Sequence, residues 1–100
     1  MTDSHRDATI EHIKQAILPI LTQHGATRAG LFGSVVRGKL RPRSDIDILV
    51  DLPRDLSLLD IIGIEQELEE TLGRKVDLVE YEALKPVLRE RILADELRIL

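Results

Sequence analysis

Residues 31–50 read LFGSVVRGKLRPRSDIDILV. A Gly-Ser pair, Gly33-Ser34, is followed after ten residues by Asp45-Ile46-Asp47. The second half is the clearest strand signal in the chain. From Asp45 to Leu52 the residues alternate, with Ile46, Ile48, Val50 and Leu52 on one face and Asp45, Asp47, Leu49 and Asp51 on the other. Aspartate is a poor strand former, and its charge is costly beside an apolar core unless something neutralises it. Asp45 and Asp47 leave the same face, with Cα atoms ~7 Å apart. Two carboxylates so placed can converge on one Mg²⁺ or bridge a pair of ions ~4 Å apart. Mg²⁺ keeps positions open for water and phosphate oxygens. The pair therefore suits phosphoryl or nucleotidyl transfer better than a closed structural site.

The upstream half offers an anion site. RAGLFG reads as a short buried strand ending at Gly33, and SVVRG as one or two helical turns closed by Gly38. A strand that ends in Gly before a helical turn presents backbone N–H groups to an anion. Gly lets that backbone approach closely, and the Ser34 hydroxyl can donate to a phosphate oxygen. Arg37, one turn on, can neutralise the same phosphates. A third carboxylate, Asp77, lies in the apolar run KVDLVEY. If that strand lies beside the first, Asp77 faces the same site, where it can ligate a metal and act as base toward an incoming hydroxyl. Asp51 is ~13 Å beyond Asp47 along the strand, and Glu80 has the opposite parity to Asp77; both are set aside.

The remaining segments frame these strands. Ile10, Ile13, Ile17, Ile20 and Leu21 recur at helical spacing, which predicts a helix from about Thr9 to His24, stopped by Gly25. Pro19 lies inside it and removes a backbone donor, so a kink or break is expected near residues 15–19. KLRPRS reads as a polar loop. Ser57, with Asp60 three residues on, opens a second helix with a stripe of Leu58, Ile61, Ile64, Leu68 and Leu72, ended by Gly73. LKPVLRERILADEL is the third helix, with Pro86 in its first turn and Leu84, Leu88 and Ile92 facing in. The terminal RIL either frays or adds a short edge strand. The order α-β-(short α)-β-α-β-α implies an α/β (α+β) fold, a small sheet covered by helices.

Composition narrows the function classes. The chain has 100 residues, 43% of them hydrophobic, enough for one aliphatic core with only Phe32 and Tyr81 aromatic. Its net charge of -4 gives no global footprint for nucleic acid. The local cations are Arg37, Lys39, Arg41 and Arg43, of which Lys39 and Arg41 read as solvated. No cysteine is present, so thiolate metal sites, thiol nucleophiles and disulfides are excluded. The first residues, TDSHRDAT, carry no signal-peptide core, and no apolar run approaches the ~20 residues that span a bilayer. A cytoplasmic protein without membrane contact is expected. His5, His12 and His24 show no ligand spacing, and Tyr81 reads as strand-end packing.

Gly33-Ser34, ten intervening residues, then Asp45-Ile46-Asp47 matches the GSX10DXD signature of the nucleotidyltransferase superfamily that includes DNA polymerase beta. The longer string resembles the minimal nucleotidyltransferase (MNT) domains, and the likeness extends over nearly the whole chain, including KVDLV and LKPVLRERIL. The resemblance implies a nucleotidyltransferase fold with a small mixed β-sheet flanked by helices, as a single domain over residues 1–100. It implies Mg²⁺, as one or two ions, and ATP as substrate. Asp45, Asp47 and Asp77 would be the metal-binding and catalytic carboxylates, and Gly33, Ser34 and Arg37 the nucleotide-binding residues. MNT domains often pair with a helical HEPN protein in toxin–antitoxin modules, where the MNT member is the antitoxin and can transfer AMP to a tyrosine of the HEPN toxin. A hetero-oligomer with a HEPN toxin, in a type VII-like module and without direct nucleic-acid contact, is the partner expectation.

Two other readings stand beside this one. The domain could neutralise a toxin by binding alone, using apolar residues such as Leu97, Ile99 and Leu100. It could also nucleotidylate a small molecule, although relatives of that kind usually carry an additional domain.

Overall fold

The computed structural model describes the backbone from Thr2 to Leu100 and side chains from Ala8 onward, so His5 lies outside the described side chains. Helix α1 (Thr2–Gln23) leads into strand β1 (Arg28–Phe32) and a 3-10 turn (Gly33–Val35). Strand β2 (Ile46–Asp51), helix α2 (Leu58–Leu72) and strand β3 (Val76–Glu80) follow. A second 3-10 turn (Tyr81–Ala83), helix α3 (Pro86–Asp95) and strand β4 (Leu97–Arg98) complete the described chain. The sheet order is β3-β2-β1-β4. β2 and β3 are parallel and the other pairs antiparallel, a mixed sheet as expected. The parallel pair requires a crossover, which α2 supplies.

One face of the sheet carries the core. Ala29 and Leu31 of β1, Ile46, Ile48 and Val50 of β2 and Val76 of β3 are buried there with the stripes of α1 and α2. All five expected α1 positions, Ile10, Ile13, Ile17, Ile20 and Leu21, are buried. These contacts explain why α1 runs through Pro19 without a break: apolar anchors on both sides of the proline hold the helix where one missing hydrogen bond would otherwise end it. The helix also begins at Thr2 rather than Thr9.

Helix α2 starts and stops as its end residues dictate. The Asp60 amide donates to the Ser57 hydroxyl (3.2 Å), and the Ser57 amide donates to the Asp60 carboxylate (2.9 Å), a reciprocal cap. Gly73 closes the helix at φ 65. Ile64 and Leu68 are buried, but Leu58 is 73% exposed. The packed face begins only at Ile61, because Leu58 stands at the first helical position, ahead of the contact with the sheet. Two α2 carboxylates also reach the edge of the sheet: Glu69 accepts from the Val76 amide (3.0 Å) and Glu65 from the Leu78 amide (3.2 Å). They satisfy edge donors that would otherwise invite another strand.

Helix α3 differs most from expectation. None of its residues is buried, and Leu88 is exposed. It is held by polar contacts, Arg89 donating to the Tyr81 carbonyl (3.2 Å) and Asp95 receiving Arg37 (3.0 Å), and not by an apolar stripe. The terminal residues form an edge strand, with Leu97 pairing Leu31 and Arg98 pairing Gly30. Ile99 and Leu100 pack against the core, so of the three apolar residues set aside for an interface only Leu97 is exposed.

Candidate active site

The second face of the sheet is where the sequence's charged residues meet. The register sets Phe32 opposite Asp47 and Asp47 beside Asp77. Because cross-strand partners share a face, Asp47 and Asp77 project side by side, with strands ~4.8 Å apart. Asp45 lies one residue ahead of β2, on the loop rather than in the strand. The Leu49 position has the parity of the aspartates yet is fully buried. The 3-10 turn Tyr81–Ala83 follows β3 directly and lies near β2.

Gly33 completes the arrangement from the other side. It sits at φ +77, in the left-handed region, and a β-carbon there would collide with Oδ2 of Asp47. Both facts demand glycine. Gly33 opens a single turn of 3-10 helix, the shorter of the one or two helical turns expected: Val36 and Arg37 amides both donate to the Gly33 carbonyl at 3.2 Å, and the Lys39 amide donates to the Ser34 carbonyl at 2.9 Å. The Gly-Ser turn and Asp47, the second carboxylate of the DXD, are thus in contact.

The charge balance of the cluster is uneven. Burial pushes the Asp47 carboxyl up to about 6, Asp77 and Asp45 add repulsion in the same direction, and Arg37 partly offsets them. Asp45 and Asp77 both act on Asp47, and Arg37, the cation that offsets them, is already engaged by Asp95 at 3.0 Å. Such a surplus of negative charge fits a divalent cation. Among the described residues no group of three His, Cys, Asp or Glu side chains forms a metal cage of its own. An ion there would complete its shell with water or with substrate oxygens, the habit of Mg²⁺.

Three participants escaped the sequence reading. Asp95 reaches Arg37 from 58 residues away, a pairing no local pattern announces. Glu96 has a side chain only 7% exposed and pairs with Arg28 at 3.7 Å. It also accepts from the Tyr81 hydroxyl and packs on Gly30, where no β-carbon would fit. Arg28 stacks on the Tyr81 ring at 4.2 Å. The strand-end packing read for Tyr81 is therefore also a polar anchor for the α3–β4 turn. Arg74 donates to the carbonyls of Arg41 (2.7 Å), Pro42 (3.2 Å) and Ser44 (3.5 Å). Of the histidines, His24 pairs with Glu67 at 2.9 Å.

With this geometry in place, the family model of the nucleotidyltransferase domain matches residues 13–100. The chain belongs to the nucleotidyltransferase domain family. A Methanocaldococcus jannaschii protein named as a candidate protein adenylyltransferase is 45% identical over 91 residues, which cover 91% of this chain and 98% of that protein. The protein adenylyltransferase MntA of Thermococcus cleftensis is 40% identical over 95 residues, covering 87% and 92% of the two chains. A solved toxin–antitoxin structure with AMP-PNP superposes with a TM-score of 0.77 at 26% identity, covering 87% of this chain and 72% of that one. This nucleotidyltransferase is a transferase enzyme with the fold that its sequence resembles. No helix among its described residues is long and apolar enough to cross a membrane.

Proposed function

We propose that this nucleotidyltransferase moves AMP from ATP to a hydroxyl, that of a tyrosine, on a HEPN-family toxin, and so acts as the antitoxin of a two-protein module. The observation that carries the reading is the in-register pair Asp47 and Asp77 held against the Gly33 turn. The adenylyltransferase relatives and the toxin–antitoxin neighbour with AMP-PNP support the choice of nucleotide and of partner.

Each residue has a role in this account. Gly33 admits the triphosphate to the backbone of its turn, and the Ser34 hydroxyl donates to a phosphate oxygen. Asp45, Asp47 and Asp77 would hold Mg²⁺, which would supply positive charge to neutralise the phosphate oxygens. Arg37 leaves Asp95 for the phosphates. The acceptor hydroxyl oxygen attacks the α-phosphorus, the bond to the bridging oxygen breaks, and pyrophosphate departs with the electron pair. Asp77, exposed at the head of β3, takes the hydroxyl proton. ATP labelled in the α-phosphate, supplied with Mg²⁺ and the product of the adjacent gene, tests the proposal. Label should pass to that partner and fail to do so with Asp45→Asn or Asp47→Asn. Absence of label on the partner would refute it.

A second reading, neutralisation by binding alone, has its own observation. Leu58, Leu59 and Val87 are 73%, 79% and 83% exposed, more apolar surface than the core needs. If an Asp45→Asn, Asp47→Asn double variant protects cells as fully as the parent, binding suffices.

A further inference from the structure

Residues 39–45 join the phosphate turn to the metal carboxylates, and this connector has no regular structure of its own. Its composition is Lys39-Leu40-Arg41-Pro42-Arg43-Ser44-Asp45, which gives little reason for order. One turn is closed locally, with the Ser44 amide donating to the Arg41 carbonyl (2.9 Å) and the Arg41 amide to the Ser44 hydroxyl (3.0 Å). What ties this turn to the sheet is Arg74. Its Nη1 faces the carbonyls of Arg41, Pro42 and Ser44 at 2.7, 3.2 and 3.5 Å. The next residue continues the grip, since the Lys75 carbonyl accepts from the Ile46 amide at 2.9 Å. Asp45 is therefore bracketed: the carbonyl before it is held by the Arg74 side chain and the amide after it by the Lys75 backbone.

We infer that Arg74 is a positioning residue for the nucleotidyl-transfer site, fixing Asp45 by clamping the connector, and this rests on the function proposed above. Asp45 lies outside β2, so the strand ladder does not fix it as it fixes Asp47. A guanidinium suits the task because its Nη1 lies one bond further out than a lysine ammonium and its charge persists at every working pH. The carbonyl dipoles are its partners, and no carboxylate among the described residues forms an ion pair with it. Side chains that orient a metal ligand typically cost ~10–100-fold in metal affinity when removed.

The test compares the parent chain with Arg74→Ala and Arg74→Lys, using two readouts. The first is tryptic cleavage in metal-free buffer, mapped by mass, after Lys39 and Arg43; Arg41 is shielded by Pro42. Cleavage after Arg54, on an exposed loop, is the internal reference. The second is the Mg²⁺ concentration that half-saturates binding of a non-hydrolysable ATP analogue. In Arg74→Ala, connector cleavage should rise relative to Arg54 and half-saturating Mg²⁺ should increase about 10-fold or more. Arg74→Lys should fall between, because its ammonium stops one bond short of the Nη1 that makes all three contacts. Unchanged connector cleavage, or a lowered melting temperature with unchanged Mg²⁺ dependence, would overturn the inference. The tryptic arm needs no nucleotide. Failure of the parent to bind the analogue counts against the proposed activity, while unchanged connector cleavage counts against Arg74.

Discussion

Gly33 and Asp47 touch: a β-carbon on Gly33 would strike Oδ2 of Asp47 and lie 3.1 Å from its Cγ. That contact joins the turn after β1 to the carboxylate in β2, and glycine is required for space and for its φ of +77 alike. Gly33→Ala should cost about 1–3 kcal/mol of stability and, by displacing Asp47, on the order of 10²-fold in transfer rate. Gly63→Ala is the matched control. Gly63 is exposed inside α2 with nothing within 4 Å of the added carbon, so that change should stabilise by about 0.5–1 kcal/mol. Thermal melts and single-turnover transfer would read both.

The raised Asp47 carboxyl has a pH consequence of definite sign. With a folded value of about 6 against an ordinary 3.8, the folded state holds the proton more tightly. Stability without metal should therefore increase as pH falls from about 7 through 6 toward 4, and it should be least above 6. Asp47→Asn should flatten that dependence and raise the melting temperature at neutral pH in metal-free buffer. Melts from pH 4 to pH 8 in chelator would check this. A sharp fall in melting temperature for Asp47→Asn would mean that the carboxylate serves the fold.

Arg37 pairs with Asp95, and the proposed function gives it a second use on the phosphates. Its pair with Asp95 at 3.0 Å is exposed on both sides, at 58% and 43% of the side chains, and such pairs are worth ~0.2–1 kcal/mol. Asp95→Asn should free Arg37 for phosphate and lower the half-saturating ATP concentration by up to about 5-fold. Arg37→Ala should raise it. Titration of an ATP analogue in the presence of Mg²⁺ distinguishes the two.

The cap on α2 responds to acid. Bonds from Ser57 hold the Asp60 carboxyl below its ordinary 3.8. Its contribution is present above that value and is lost as pH falls through the lower folded one. Ser57→Ala should destabilise by about 1 kcal/mol at neutral pH, whereas Asp60→Asn should remove the acid dependence, its difference from the parent shrinking below pH ~4. Melts at pH 7 and pH 3 are the check.

Much of this was legible in the sequence, and the reasons divide cleanly. The β2 alternation, the α1 stripe and the Ser57–Asp60 cap follow from local periodicity and end chemistry, and all three are present. The approach of Asp77 to Asp47 depended on strand order, which the parallel register supplies. The sequence understated α1, because Pro19 acts locally while its neighbours are held by the core. It overstated α3, whose Leu88 is exposed and whose attachment is polar. Leu49 was placed on the face of the aspartates, and parity does not tell that it is fully buried there. Arg74, Asp95 and Glu96 act across gaps of 30 to 58 residues or in a tertiary cluster, where spacing carries no signal.

The claim on which the rest depends is that the Gly33 turn and the three carboxylates form one nucleotide–metal site. Calorimetric titration of the chain with a non-hydrolysable ATP analogue, with and without Mg²⁺, tests it without need of an acceptor. The account predicts binding that requires Mg²⁺ and is abolished in Asp47→Asn while that variant stays folded. Binding of equal strength without Mg²⁺, or retained by Asp47→Asn, would contradict it.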